Sequence, residues 1–156
     1  MTTTKRLLLM MTLTLAACSD SPFSADERRD LRNAEARWQS SRPAHYSYEV
    51  QINCFCPTAG IWARVEVRGD SVLTITDVDA QPGDPELPRY GWSSIDGLFT
   101  MLHGMVDNGG QGNYARDVSA SYNSVYGYPV HIEMTCTDQV TDCGLVADAR
   151  SFQPLP

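Results

Sequence analysis

Six stretches of this sequence alternate apolar and polar residues, and that pattern limits the chain to a fold built around a β-sheet. The clearest stretch is HYSYEVQINCFC, residues 45–56, in which apolar side chains recur at every second position from Tyr46 to Cys56. Side chains of a strand point alternately to its two faces, so the pattern predicts a half-buried strand. The other predicted strands are IWARVEVR, SVLTITDV, ARDVSASY, PVHIEMTC and the weaker GLVADARSF.

The second and third predicted strands are separated by Gly69-Asp70. These residue types are typical of a two-residue hairpin turn. Such a turn predicts that Val67 pairs with Val72 and that Val65 pairs with Thr74.

Two segments have the spacing of helices. The first begins with a capping box at residues 24–27, carries apolar residues at helical spacing up to Trp38, and ends at Arg42-Pro43. The second begins near residue 93 and ends at residues 108–110, which are Asn-Gly-Gly. Its apolar stripe consists of Ile95, Leu98, Phe99, Leu102, Met105 and Val106.

The elements follow the order helix, three strands, helix, three strands. We therefore predict an α+β fold of two α-β-β-β halves, with two helices packed on one face of a mainly antiparallel sheet of about six strands. The other face of such a sheet is exposed to solvent or to a partner. A proline-rich loop, residues 79–92, connects the halves.

The N-terminal residues indicate where the domain is located. Lys5 and Arg6 precede an apolar run, residues 7–17, whose eleven residues would span only about 16 Å as a helix, too short for a hydrocarbon core of about 30 Å. The run is typical of a secretory signal. Residues 15–18, Leu-Ala-Ala-Cys, resemble the bacterial lipobox, whereas an ordinary signal cleavage site is the alternative.

This resemblance implies that residues 1–17 are a lipoprotein signal peptide and that Cys18 is lipidated. Residues 18–23 would then be a tether, and residues 24–156 a single α+β domain. We expect the protein to be anchored by lipid to a membrane of the bacterial cell envelope. Ser19 implies, again by resemblance, the outer membrane facing the periplasm if the cell has two membranes.

The charge of the chain argues against binding to nucleic acid. The formal charge is −7, and removal of Lys5 and Arg6 with the signal peptide leaves ten arginines against 19 acids, so 10 − 19 = −9, with no lysine. The arginines are scattered among acids, whereas phosphate neutralisation requires a clustered basic face.

Four cysteines remain if Cys18 is lipidated. An even number outside the cytoplasm predicts two disulfides, and three pairings are open. A bond between Cys54 and Cys56 is awkward in an extended strand, because alternate Cα atoms lie about 6.6 Å apart, near the upper limit for a disulfide. Chain entropy favours a long link such as Cys54 to Cys136, whereas locality favours Cys54 with Cys56 and Cys136 with Cys143.

The residues also resemble a known family. Tyr46-Ser47-Tyr48 leads into Cys54-Phe55-Cys56-Pro57, and Gly127-Tyr128-Pro129 precedes a strand. Together with Trp38 and the Ile95-Asp96-x-Leu98-Phe99 helix, these motifs resemble a bacterial envelope lipoprotein family of unknown function (domain of unknown function 6174). The resemblance extends from Ala34 to Phe152. It favours the two local cysteine pairs, and it leaves the function open because no activity is established for the family.

Other catalytic or metal-binding chemistry has weaker support. A redox enzyme using Cys54 and Cys56 is an alternative hypothesis, but no cation adjoins these residues in sequence to lower a thiol pKa. His45, His103 and His131 are the only candidate bases near neutral pH, and no catalytic motif surrounds them. The acids of the loops, among them Asp138 and Asp142, could bind calcium weakly, and a structural, calcium-steadied lipoprotein is therefore a third hypothesis. These loops lack a calcium-binding motif, which weakens that hypothesis. We expect no cofactor and no metal.

The leading hypothesis is therefore a non-enzymatic domain that binds another envelope component, with its oligomeric state left open. Aromatic side chains in loops and on open faces are common anchors of protein contacts, and the alternative is that these residues cover the ends of the sheet. The candidate partner-binding residues are Trp62, Tyr90, Trp92, Tyr126 and Tyr128.

Overall fold

The computed structural model describes residues 23–108, 115–138, 140 and 143–156. They form two helices and a six-stranded sheet, which confirms the predicted α+β fold. The elements are α1 (Ala25–Ser41), β1 (His45–Asn53), β2 (Trp62–Arg68), β3 (Ser71–Asp77), α2 (Ile95–Asn108), β4 (Ala115–Tyr122), β5 (Pro129–Cys136) and β6 (Leu145–Pro154). The predicted signal peptide and Cys18 lie outside the described residues. Among the described helices, neither is long and apolar enough to cross a membrane.

The sheet consists of two antiparallel meanders, one from each half of the chain. Its strand order is β3-β2-β1-β6-β5-β4, so the first and last strands pair at the centre. Every neighbouring pair is antiparallel. Strands β3 and β4 are consequently the two edges.

Helix α1 begins and ends where the sequence predicts. The Ser24 hydroxyl accepts a hydrogen bond from the Glu27 N–H at 3.2 Å, and the Glu27 carboxylate accepts one from the Ser24 N–H at 2.8 Å. This reciprocal capping box satisfies two amides that the first turn leaves free. The last residue of the helix is Ser41. Arg42 is its C-cap, where the N–H donates to the Trp38 carbonyl at 2.8 Å, and Pro43 follows.

The core lies between the two helices and one face of the sheet. Trp38 of α1 is fully buried, and its ring meets those of Tyr46, Tyr128 and Phe152 edge-on, with centroids 5.4 to 6.4 Å apart. Such edge-to-face contacts add to the energy of area burial. The predicted stripe of α2 is buried in the same core, which also includes Leu31, Tyr48, Val50, Ala63, Val65, Val67, Val118, Ile132 and Ala147.

Two details of the predicted strands are wrong. Strand β1 ends at Asn53 and not at Cys56, because the chain turns there and the Cys56 N–H donates to the Cys54 carbonyl at 2.8 Å. In the hairpin, Val67 pairs with Val72 as predicted. Val65, however, pairs with Ile75 and not with Thr74, since an irregularity between Glu66 and Val67 shifts the register.

Phe23 marks the point at which the chain joins the domain. The sequence placed this residue in the tether, yet its side chain is 2% exposed and belongs to the core. The folded part of the chain therefore includes Phe23.

Candidate functional site

The face of the sheet opposite the helices carries a continuous array of polar and charged side chains, here called the open face. Cross-strand register and the alternation of side chains assign its members. They are His45, Ser47, Glu49 and Gln51 of β1, Trp62, Arg64, Glu66 and Arg68 of β2, Thr74 and Thr76 of β3, Ser119 and Ser121 of β4, His131 and Glu133 of β5, and Asp148 and Arg150 of β6.

Glu49 lies at the centre of the open face, on the strand that joins the two halves. One carboxylate oxygen accepts a hydrogen bond from the Arg64 guanidinium at 2.6 Å. The other accepts one from Arg150 at 3.0 Å and one from the Ser151 hydroxyl at 3.0 Å. The side chain of Glu49 is only 7% exposed, whereas those of Arg64 and Arg150 are 58% and 50% exposed. A buried carboxylate thus holds two guanidinium groups at the surface.

A bulge in β6 places the Ser151 hydroxyl beside Glu49. Ser47 pairs with Gln153 and Glu49 with Arg150, so β6 has one residue more than β1 in this interval. Ser151 has a φ of 54°, which is in the left-handed region and uncommon for serine. The hydrogen bond from Ser151 to Glu49 is a contact that the bulge makes available.

Trp62 joins this cluster from β2. The guanidinium carbon of Arg150 lies 3.7 Å from the centroid of the Trp62 ring, a cation–π contact. Because Arg150 is also bound to Glu49, its guanidinium is held by an aromatic ring and a carboxylate. We call Glu49, Trp62, Arg64 and Arg150 the arginine cluster.

The surroundings of Glu49 lower its pKa. The hydrogen bond from Arg64 is the main cause, and those from Arg150 and Ser151 act in the same direction and outweigh the opposing effect of burial. A carboxylate with a lowered pKa stabilises the fold above its ordinary pKa of about 4.3. That contribution is lost as the pH falls through the lower pKa of the folded state.

Replacing Glu49 by glutamine should lower the free energy of unfolding by about 1–3 kcal/mol at pH 7, because two guanidinium groups lose their carboxylate. The difference from the wild type should shrink in acid, as the pH falls through the lowered pKa of Glu49 and the carboxyl becomes protonated. Urea unfolding at pH 7 and at an acidic pH measures both effects. Glu133→Gln is the control: its carboxylate is 48% exposed and 3.8 Å from His131, so we expect a change within about 1 kcal/mol. Equal effects of the two substitutions would contradict this account of Glu49.

Two histidines extend the network to either side of the arginine cluster. His45 lies 2.7 Å from the Glu66 carboxylate, which also accepts a hydrogen bond from Thr74. The contact with His45 is the main reason why the pKa of Glu66 is lowered. On the other side, His131 Nδ1 lies 2.7 Å from the Asp148 carboxylate. The acids of the open face are therefore largely paired with cations or with imidazole groups.

Ser121, His131 and Asp148 lie opposite one another on three neighbouring strands. A serine, a histidine and an aspartate in a row are the residue types of a serine hydrolase triad, but their geometry differs from that of a triad. No hydrogen bond joins Ser121 to His131 among the described residues, and the imidazole and Asp148 are each 38% exposed on an open sheet. A catalytic serine needs its base within hydrogen-bond reach, so the row supports no nucleophilic catalysis.

The four cysteines of the domain lie in two local pairs at disulfide distance. The Cα atoms of Cys54 and Cys56 are 5.2 Å apart, and those of Cys136 and Cys143 are 6.1 Å apart. The first distance is shorter than the 6.6 Å or so of an extended strand, because β1 has already ended at Asn53. Phe55, which separates the two cysteines of the first pair in the sequence, has an exposed ring.

Replacing Cys136 and Cys143 together by alanine should lower the free energy of unfolding by about 2.5 kcal/mol, because the bridge closes a loop over a separation of seven residues. Removing the Cys54–Cys56 pair should cost less, about 1.6 kcal/mol, since its loop is shorter. Thermal unfolding of the two double variants gives the comparison. The reverse order of the two losses would show that loop entropy is not the controlling term.

The five candidate partner-binding aromatics have different environments. Tyr90 is 67% exposed, as expected for an anchor, and Trp62 lies on the open face. Trp92 and Tyr128 are 6% and 5% exposed, because these loop residues fold back into the core, in line with the alternative that loop aromatics cover the sheet. Tyr126 is half-buried and its ring lies 4.7 Å from that of Phe152, so it covers the core.

Sequence reasoning missed the arginine cluster. Alternation alone puts Glu49 and Arg64 on the polar sides of neighbouring strands, so that contact could have been found from the hairpin order. The contact of Glu49 with Arg150 depends on the pairing of β1 with β6, which no local pattern reveals. Within the described residues, no group of three or more His, Cys, Asp or Glu side chains is arranged to hold a metal ion.

The chain matches the model of a protein family. Residues 30–154 match the model of a family described as "Family of unknown function (DUF6174)". The matched segment includes α1 from Asp30 onward, the whole of α2 and all six strands. It confirms the resemblance to domain of unknown function 6174 that the motifs between Ala34 and Phe152 indicated. No curated protein and no solved structure matches the chain.

Proposed function

We propose that this chain, which belongs to the family of unknown function DUF6174, is a lipid-anchored protein of the bacterial cell envelope that binds another envelope component through its open face. The observation that carries the proposal is the arginine cluster, in which the buried carboxylate of Glu49 holds Arg64 and Arg150 at the surface beside Trp62. No enzymatic activity is proposed.

The N-terminal sequence supports the anchor. An apolar run at residues 7–17 ends in Leu-Ala-Ala-Cys, and acylation of Cys18 would attach the mature chain to a membrane. Each buried CH₂ group of an acyl chain contributes about 0.8 kcal/mol, so two or three chains hold a protein firmly. In a cell with two membranes, Ser19 favours the outer membrane facing the periplasm.

The physical state of the open face supports binding. Immobilising a flexible side chain on association costs about 0.5–1.5 kcal/mol, and Arg64 and Arg150 are already held by Glu49. Tryptophan and arginine are also the residue types enriched among the energetically dominant positions of interfaces. Charges of both signs on one face favour discrimination between partners.

Site-specific photo-crosslinking in living cells tests this proposal. A photoreactive amino acid at Ser119 or Ser121, both exposed on the open face in strand β4, should give a reproducible adduct with one envelope component. The matched control positions are Arg32 and Ala36, which are exposed on α1, away from the sheet. Adducts formed equally from the helix positions, or none from the open face, would refute binding through this surface.

A further inference from the structure

The outer edge of strand β3 offers unpaired backbone groups. Strand β3 pairs with β2 on one side and, among the described residues, has no strand on the other. The Val78 N–H donates to the Trp62 carbonyl at 2.9 Å, which fixes the phase of the ladder. In an antiparallel pair, the backbone groups of alternate residues point to the same side of the strand. The backbone N–H and C=O of Thr76 therefore point toward β2, whereas those of Ile75 and Asp77 point outward. No protein group hydrogen-bonds to these outward backbone groups in the described part of the chain.

A groove lies along this edge. It has a volume of about 400 Å³. Residues 73–77 of β3 bound it on one side, and residues 80–89 of the proline-rich loop bound it on the other. Ligand pockets commonly have volumes of about 300–1,000 Å³. Leu73, Ile75 and Leu87 give the groove apolar lining, and all three side chains are half-buried.

The loop that forms the outer wall is held mainly by its own hydrogen bonds. The Gln81 N–H donates to the Asp84 carboxylate at 2.6 Å, and the Asp84 N–H donates to the Gln81 carbonyl at 3.0 Å. The Asp77 carboxylate accepts a hydrogen bond from the Asp79 N–H at 2.9 Å, which fixes the start of the loop. The wall therefore stands beside the edge without satisfying its outward groups.

The charge along the groove is negative. Of the described residues, Asp77, Asp84 and Glu86 line it, against one cation, Arg89. An added strand would find backbone donors and acceptors at Ile75 and Asp77, apolar contacts on the floor and acidic groups on the wall.

We propose that this groove binds an extended, basic peptide segment of a protein partner, which adds to the sheet as a seventh strand beside β3. This mode of recognition takes affinity from main-chain hydrogen bonds and specificity from side-chain pockets. The inference goes beyond the proposed function, because it assigns the peptide to the β3 edge and not to the open face. The acidic wall disfavours a second copy of this chain as the occupant, because the paired grooves would bring like charges together.

A phage-displayed random peptide library, selected on the mature chain, tests the proposal. We expect enrichment of peptides that alternate apolar and basic residues. A synthetic copy of an enriched peptide should bind at least about tenfold more weakly when alternate backbone nitrogens are methylated, because the added strand then loses its donors. Its affinity should also fall as salt is raised.

Two variants of the protein locate the site. Glu86→Arg reverses a charge on the exposed wall and should weaken binding several-fold, whereas Glu133→Arg, on the open face near the other edge, should not. Ile75→Pro removes an outward N–H without removing a bond to β2 and should also weaken binding, with the melting temperature as a check of folding.

Several results would overturn the proposal: no enrichment, enrichment without basic residues, full binding after N-methylation, or equal effects of Glu86→Arg and Glu133→Arg. Sedimentation showing a dimer that Glu86→Arg changes but peptide cannot displace would assign the groove to a second copy and would also overturn it. Peptide binding that persists while open-face crosslinking fails would refute the proposed function and retain the groove.

Discussion

Replacement of Trp38 by alanine should lower the free energy of unfolding by about 3–5 kcal/mol, one of the two largest losses expected from a single substitution in this chain. The indole is fully buried, and α1 contacts the sheet through it. Its ring meets Tyr46 of β1, Phe152 of β6 and Tyr128 of the loop before β5. Truncation therefore leaves a cavity among elements from both halves of the chain. Urea unfolding at pH 7 measures the loss.

The control for Trp38 is a second tryptophan with different surroundings. Trp62 is half-buried on the open face, where its ring contacts Arg150. Alanine at this position removes a cation–π contact and leaves no closed cavity, so we expect a loss of about 1 kcal/mol. If the two alanine variants unfold at the same urea concentration, Trp38 is not the centre of the core.

Gly127→Val should be about as damaging, with a loss of about 4 kcal/mol or more or a failure to fold. Gly127 has a φ of +86°, which valine adopts only with strain. A side chain at this position would also overlap the Ala34 carbonyl oxygen and come within 3.0 to 3.1 Å of Arg37 Cβ and the Trp38 N. The loop between β4 and β5 packs directly on α1 here, so a β-carbon would push the helix from the sheet. The expected result is a large fall in melting temperature, or recovery only from inclusion bodies.

Gly69→Val separates backbone strain from the steric overlap. Gly69 has a φ of +58°, yet a β-carbon there would meet nothing within 4 Å. It should therefore show the strain alone, about 1–3 kcal/mol. A loss at Gly127 no greater than that at Gly69 would mean that α1 tolerates displacement.

The secondary structure could be predicted because each element carries its own local signal. The stripe of α2 and the alternation in β5 result from burial of one side of each element, and periodicity records that directly. The capping residues Ser24 and Glu27 fix the start of α1 in the same local way. The central pairing of β1 with β6 could not be predicted, because residues about 100 positions apart meet there and no turn sets their register.

The candidate site was only partly predictable for the same reason. The open face could be predicted because each strand has apolar residues on one side only, which leaves the other side of the sheet polar. Trp62 was correctly assigned to this face. For the loop residues Trp92 and Tyr128 the sequence left two roles open, partner contact or cover of the sheet, and both rings are buried in the core because their loops lie against it. Cys54 and Cys56 were expected on one strand face, but the strand ends before them.

The proposed function requires the domain to be held at a membrane by lipid on Cys18, and intact-mass spectrometry tests this most directly. The protein is extracted from membranes of the native cell with detergent, and its mass is measured with and without reduction. We predict a chain that begins at Cys18, carries two or three acyl chains there, and gains the mass of four hydrogens on reduction. A chain with unmodified Cys18, or one already carrying four free thiols, would contradict the account.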